Sequence, residues 1–177
     1  MRHALLVTTA ALGLVGGLTL PAGAADTTTT FTLTAGALGV SAPVSKNLGS
    51  GSAGAPVSAS LGDVTVSDAR GTLLGSWTAT AVSSAFTTGG ATPNETIAAT
   101  NVTYASGLET GGSGTAVRVP GQLSAAVAVA IDTAKTAFSA TGALGTNSTT
   151  WSPTVIVSPP SSAVAGTYTG TVTHSVA

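Results

Sequence analysis

In this chain of 177 residues, few side chains could act as the base that a nucleophile needs for catalysis. Beyond residue 25 it holds many serines but one histidine, His174. A serine hydrolase needs a base that activates its nucleophile and a third group that orients the base. His174 lies three residues before the last residue, and no Gly-x-Ser-x-Gly motif occurs in the chain. We therefore expect a protein that is not an enzyme, with His174 as a partly buried residue of a strand.

The carboxylates are too dispersed for a metal site. Beyond residue 25 they are Asp26, Asp63, Asp68, Glu95, Glu109 and Asp132. No local group has the spacing of a calcium loop, and one histidine without any cysteine leaves too few ligands for zinc. No glycine-rich stretch follows a strand and opens a helix, so nothing supports a phosphate site. We expect no metal and no cofactor.

Asp68 and Arg70 are the one acid–base pair with a close spacing, and Gly71 follows them directly. Asp68-Ala-Arg70-Gly71 has the composition of a turn, across which the two charged side chains can pair. We interpret this pair as structural, and an exposed pair of this kind contributes little stability.

Trp77 and Trp151 are the only tryptophans. A tryptophan buries far more area than the alanines and valines around it, so a place in the core is the default expectation. The alternative is a sugar-binding face, on which an exposed ring stacks against a glycan. If the chain has a ligand site, Trp77, Trp151 and His174 are its candidate residues.

The composition is that of an exported all-β domain. Charged residues make up 6%, whereas Thr and Ser together account for 52 positions (32 and 20), which favours strands with uncharged polar faces. Lys46, Arg70, Arg118 and Lys135 are scattered along the chain, which argues against a nucleic-acid partner. Without cysteine, such a domain relies on packing and sheet hydrogen bonds.

The first 24 residues have the pattern of a secretory signal peptide. Arg2 and His3 precede an apolar segment at 4–20, Pro21 interrupts it, and Ala22-Gly23-Ala24 forms a cleavage site. Cleavage after Ala25 also fits. A membrane anchor is the alternative, but the apolar run is short and rich in glycine. We expect residues 25–177 to form one secreted domain with no integral membrane segment.

Short strands with turn signals every 8–15 residues predict an immunoglobulin-like antiparallel β-sandwich of about eight to ten strands. We predict strands at 27–34, with Phe31 and Leu33 on one face, at 38–44, at 56–66 and at 75–83, with Trp77, Ala79 and Ala81 facing inward. Short strands are also expected around Val102 and at 127–131, whereas 132–139 fits either a helical turn or an edge strand. Turns or loops are expected at 46–56, 68–71, 87–94, 111–114 and 142–150.

Residues 151–176 give the clearest strand pattern. Trp151, Val155 and Val157 share one face of a first strand, and Tyr168 lies on the apolar face of a second whose other face carries hydroxyls. Pro159-Pro160 ends the first strand, and Gly166 turns the chain. A tyrosine placed after such a corner often donates its hydroxyl to nearby backbone.

Three stretches together resemble the WxL family of surface proteins of Gram-positive bacteria. They are TFTLTAGAL at 30–38, VTVSDARG with GSWTATAVSSAFT at 64–87, and WSPTVIV with AGTYTGTVTHSV at 151–176. The two Trp-x-Leu motifs of the family read Trp77-Thr78-Ala79 and His174-Ser175-Val176 here. The bias toward Ala, Gly and Thr and the scarcity of Lys indicate a bacterial source, and the resemblance implies a high-GC Gram-positive, actinobacterial one.

The resemblance implies a secreted module that attaches non-covalently to the cell wall, with peptidoglycan or another surface protein as partner. A structural subunit of a surface fibre or matrix, assembled strand to strand through edges with few charges, is the alternative. A protein-partner-binding module also remains open.

Overall fold

The computed structural model describes residues 27–177, and Thr34–Ala177 form one compact unit. The predicted signal peptide therefore lies outside the described residues. The described chain contains no α-helix, only short 3-10 turns and eleven strands. In chain order the strands are β1 (Leu38–Ser41), β2 (Val57–Ser60), β3 (Val64–Ser83), β4 (Phe86–Thr87), β5 (Thr96–Ile97), β6 (Val102–Ala105), β7 (Glu109–Pro120), β8 (Val129–Ala130), β9 (Lys135–Trp151), β10 (Thr154–Val157) and β11 (Val172–Val176).

The strands form an antiparallel β-sandwich, as predicted. One sheet has the order β1-β3-β9-β7, with β11 paired to the second half of β3, and the other has the order β2-β10-β6-β8. β4 and β5 form a small separate ladder. The count is slightly above the expected eight to ten, and β3 and β9 are long, with 20 and 17 residues.

The core lies between the two sheets and follows the period of two. Trp77, Ala79 and Ala81 of β3 are buried, which confirms their predicted inward face. Trp151, Val155 and Val157 are buried as well, although Trp151 ends β9 and the other two belong to β10. The two strands expected in residues 151–176 are present, but β10 lies in one sheet and β11 in the other, so their connection crosses the sandwich.

Three neighbouring strands bend where the sequence predicts turns. Register shifts occur in β3 between Asp68 and Trp77, in β7 between Ser113 and Val117, and in β9 opposite both. Residues with positive φ lie at these positions: Gly71, Leu74, Gly114, Gly142 and Gly145. We call residues 71–75, 113–117 and 142–145 the central bend.

The predicted turns at 68–71 and 111–114 and the predicted loop at 142–150 are therefore wrong. Glycine and hydroxyl-rich sequence marks both chain reversals and β-bulges, and here it marks bulges within continuous strands. The bend brings β1 beside β11 although they pair with opposite ends of β3.

Several smaller predictions differ from the structure. Residues 27–34 form no strand, and Phe31 and Leu33 are exposed, because an alternating segment becomes a strand only when it finds a partner. Residues 125–127 form a 3-10 turn, so the strand expected at 127–131 shortens to β8. The ambiguous segment 132–139 enters β9, which lies between β3 and β7 and is not an edge.

Candidate functional site

Both tryptophans are core residues. Trp77 is 2% exposed and Trp151 is fully buried. The Trp151 ring stacks on Phe138 at a centroid distance of 5.1 Å. A sugar-stacking platform needs an exposed ring face, so the hypothesis that either indole binds a glycan directly is wrong.

His174 is partly buried, as expected, and lies at the end of a chain of hydrogen bonds that begins in the core. Trp151 Nε1 donates to Tyr104 Oη over 2.9 Å, and Tyr104 Oη lies 3.1 Å from His174 Nε2. Because Tyr104 Oη already accepts a hydrogen bond from Trp151, the pairing that leaves fewest groups unpaired has Tyr104 donating to a neutral His174. Burial lowers the pKa of His174 to about 4 and raises that of Tyr104. His174 is thus neutral at pH 7 and is held by packing rather than by an acidic orienting group.

The Asp68–Arg70 pair braces the central bend. Arg70 Nε and Nη2 each donate to the Asp68 carboxylate over 2.9 Å. Arg70 Nη2 also donates to the carbonyl of Ser76 over 2.8 Å. Six residues of straight strand span about 20 Å, which is further than an arginine side chain reaches, so this contact exists only because β3 bends.

Inside the bend, the same carboxylate meets a buried amide. Asn147 Nδ2 donates to Asp68 Oδ2 over 3.5 Å, and Trp77 Nε1 donates to Asn147 Oδ1 over 3.4 Å. The hydrogen bonds from the Arg70 guanidinium, followed by those from the Arg70 backbone N–H and from Asn147, outweigh burial and hold the pKa of Asp68 below its ordinary value. The predicted pairing is confirmed. The predicted turn at this position is instead a bulge at Gly71, whose φ is +66°.

Tyr168 forms the predicted corner. Its hydroxyl donates to the carbonyl of Val164 over 2.9 Å and lies 3.2 Å from that of Asn94. Gly166 lies between Val164 and Tyr168 in the chain, and a Cβ on Gly166 would come within 2.5 Å of Thr88 Oγ1. The corner therefore holds the 159–170 loop against the turn that precedes β5.

The structure adds two adjoining clefts that the sequence did not suggest. The smaller, about 160 Å³, lies beneath residues 42–48, and Leu61, Phe86, Val155 and His174 line it. The larger, about 1050 Å³, is an open groove between residues 45–53 and the 159–170 loop, with Tyr168 on its wall. Lys46 lines both clefts, and among the described residues no carboxylate lines either.

Long-range folding assembles these clefts, so only weak sequence signals pointed to them. The sequence predicts the loop at 46–56 that covers them, but in sequence Lys46 is only one of several scattered cations. A long glycine- and serine-rich loop with a single cation is the signal that could have indicated a site. Of the three candidate ligand residues, the clefts include His174 alone.

The two clefts form a concave surface on which a ligand can bind. Within residues 27–177 no group of three or more His, Asp or Glu side chains is placed to hold a metal ion. No helix of the described chain is long and apolar enough to cross a membrane. No family model, curated protein or solved structure matches this chain.

Proposed function

We propose that this protein is a secreted, non-catalytic module that associates non-covalently with the bacterial cell wall. The observation that carries the proposal is the pair of clefts beneath residues 42–53, which has one cation and no carboxylate among its described lining residues. Such a surface suits a large, weakly charged polymer with occasional anionic groups, as peptidoglycan is, and does not suit a polyanion. The signal-like first 24 residues and the resemblance to the WxL family support the same assignment.

Co-sedimentation tests the proposal. The chain without residues 1–24 is mixed with insoluble peptidoglycan sacculi and spun at low and moderate salt. We expect the protein in the pellet at both salt concentrations, and in the supernatant with starch granules as the control matrix. Protein that stays in the supernatant with sacculi would contradict wall association.

Assembly into a fibre is the second candidate, because the outer side of β7 pairs with no strand among the described residues. A free edge of 12 residues can accept another strand. However, Arg118 Nη2 donates to the carbonyls of Ser113 and Gly114, and Pro120 ends the strand. A charged side chain and a proline on an edge strand both hinder pairing with another strand, which favours wall association over a fibre. Size-exclusion chromatography over a range of concentrations separates the candidates, since a fibre subunit forms larger species as its concentration rises.

A further inference from the structure

The smaller cleft has the size and walls of a pocket for a small aliphatic group. Its volume is about 160 Å³, close to the cavity of about 150 Å³ that holds one benzene ring in another protein. Leu48, Leu61, Val64, Phe86 and Val155 contribute apolar walls. Polar atoms make up about half of the lining surface, so the cleft suits a ligand that has both an aliphatic part and a polar end.

The positive charge of Lys46 at the cleft favours a ligand with an anionic group. Lys46 lines the cleft, the neutral His174 adds no negative charge, and no carboxylate among the described residues does so. An ammonium with no acidic neighbour in the cleft favours a ligand carboxylate. Arg70 and Arg118, by contrast, are engaged by Asp68 and Glu109.

The chain beside the cleft can bind a peptide backbone. Residues 42–48 belong to no strand, although they directly follow β1. A segment of this kind can offer N–H and C=O groups to an extended ligand, as a sheet edge does. Among the described residues no tryptophan or tyrosine lines the smaller cleft, so it lacks the usual ring for stacking a sugar, whereas peptide recognition needs no exposed aromatic ring.

We propose that the cleft binds the C-terminal end of a short peptide of small aliphatic residues, with its free carboxylate paired to Lys46. The proposal rests on wall association only for the source of the peptide, which would be the peptide stems of peptidoglycan. It distinguishes peptide stems from glycan strands as the recognised part of the wall.

The test titrates the chain without residues 1–24 with N-acetyl-alanyl-alanine, in the L,L and D,D forms, and follows backbone amide shifts by NMR. We expect saturable shifts around residues 42–48 and His174. Amidation of the ligand carboxylate should weaken binding roughly fivefold, the upper range for an exposed ion pair. Lys46→Gln should weaken it to the same extent, and the matched control Lys135→Gln should not.

Three results would overturn the proposal. One is equal binding of the acid and the amide, and another is binding of a chitin-type oligosaccharide at residues 42–48 in place of the dipeptide. The third is absence of dipeptide binding while the protein still sediments with sacculi, which would leave wall association intact. If neither dipeptide nor sacculi bind, the proposed function fails together with this inference.

Discussion

Replacing Asp68 by asparagine tests whether the brace across the central bend stabilises the fold. The carboxylate is 1% exposed and accepts two hydrogen bonds of 2.9 Å from the Arg70 guanidinium. An asparagine keeps the shape but turns a donor NH₂ toward Arg70 or toward Asn147, both of which are donors here. Hydrogen bonds to charged groups contribute about 1.5–3 kcal/mol each, but the Arg70 side chain is one-third exposed and water replaces part of the loss. We expect the free energy of unfolding to fall by about 2–3 kcal/mol.

Urea unfolding followed by tryptophan fluorescence measures this change, because both indoles are buried and report loss of the core. Asp63→Asn is the matched control, since Asp63 is exposed. The low pKa of Asp68 adds a second signature. The carboxylate's contribution to the free energy of unfolding is present above its ordinary pKa and is lost as pH falls through the lowered value. The unfolding free energies of the wild type and Asp68→Asn should therefore begin to converge as pH falls below about 4. If Asp68→Asn matches Asp63→Asn at pH 7, the brace does not stabilise the bend.

Three further changes test the core, the bend and the partly buried histidine. Trp77→Ala should cost about 3–5 kcal/mol in unfolding free energy, and an unchanged denaturation midpoint would show that the indole is not a core residue. Gly114→Ala should destabilise more than Gly142→Ala in thermal melts, because both have positive φ but only at Gly114 would a Cβ come within 2.5 Å of a carbonyl oxygen; equal melting temperatures would contradict the close packing at Gly114. The unfolding free energy of the wild type should fall by up to about 3 kcal/mol as pH falls from 6.5 toward 4, because the unfolded chain binds a proton that the partly buried His174 does not. His174→Phe should remove that loss, and an unchanged pH dependence would refute it.

Local pattern predicted the parts of the fold that local chemistry decides. The alternation at Trp77, Ala79 and Ala81 gave the buried face of β3, and the spacing of Asp68 and Arg70 gave their pairing. The position of Tyr168 after a turn likewise gave its hydrogen bond to backbone.

Long-range pairing decides the rest. Residues 27–34 alternate as well as any strand, yet no strand forms there. Gly142 and Gly145 predict a loop from local sequence, but β3 and β7 pair with the two sides of this segment and make it part of β9. The lining of the smaller cleft comes from residues far apart in sequence, so no sequence motif predicts it; they include Lys46, Leu61, Phe86, Val155 and His174.

The central bend also determines where this protein tolerates cutting or grafting. A sequence-based search for flexible points would choose the glycines at 111–114 and 142–145, but an insertion there would interrupt strands whose backbone groups are paired across the larger sheet. Residues 89–92 are exposed and belong to neither large sheet. A tag, a fluorophore or a protease site therefore belongs at residues 89–92 rather than in the central bend, ahead of Asn94, whose carbonyl holds the 159–170 loop.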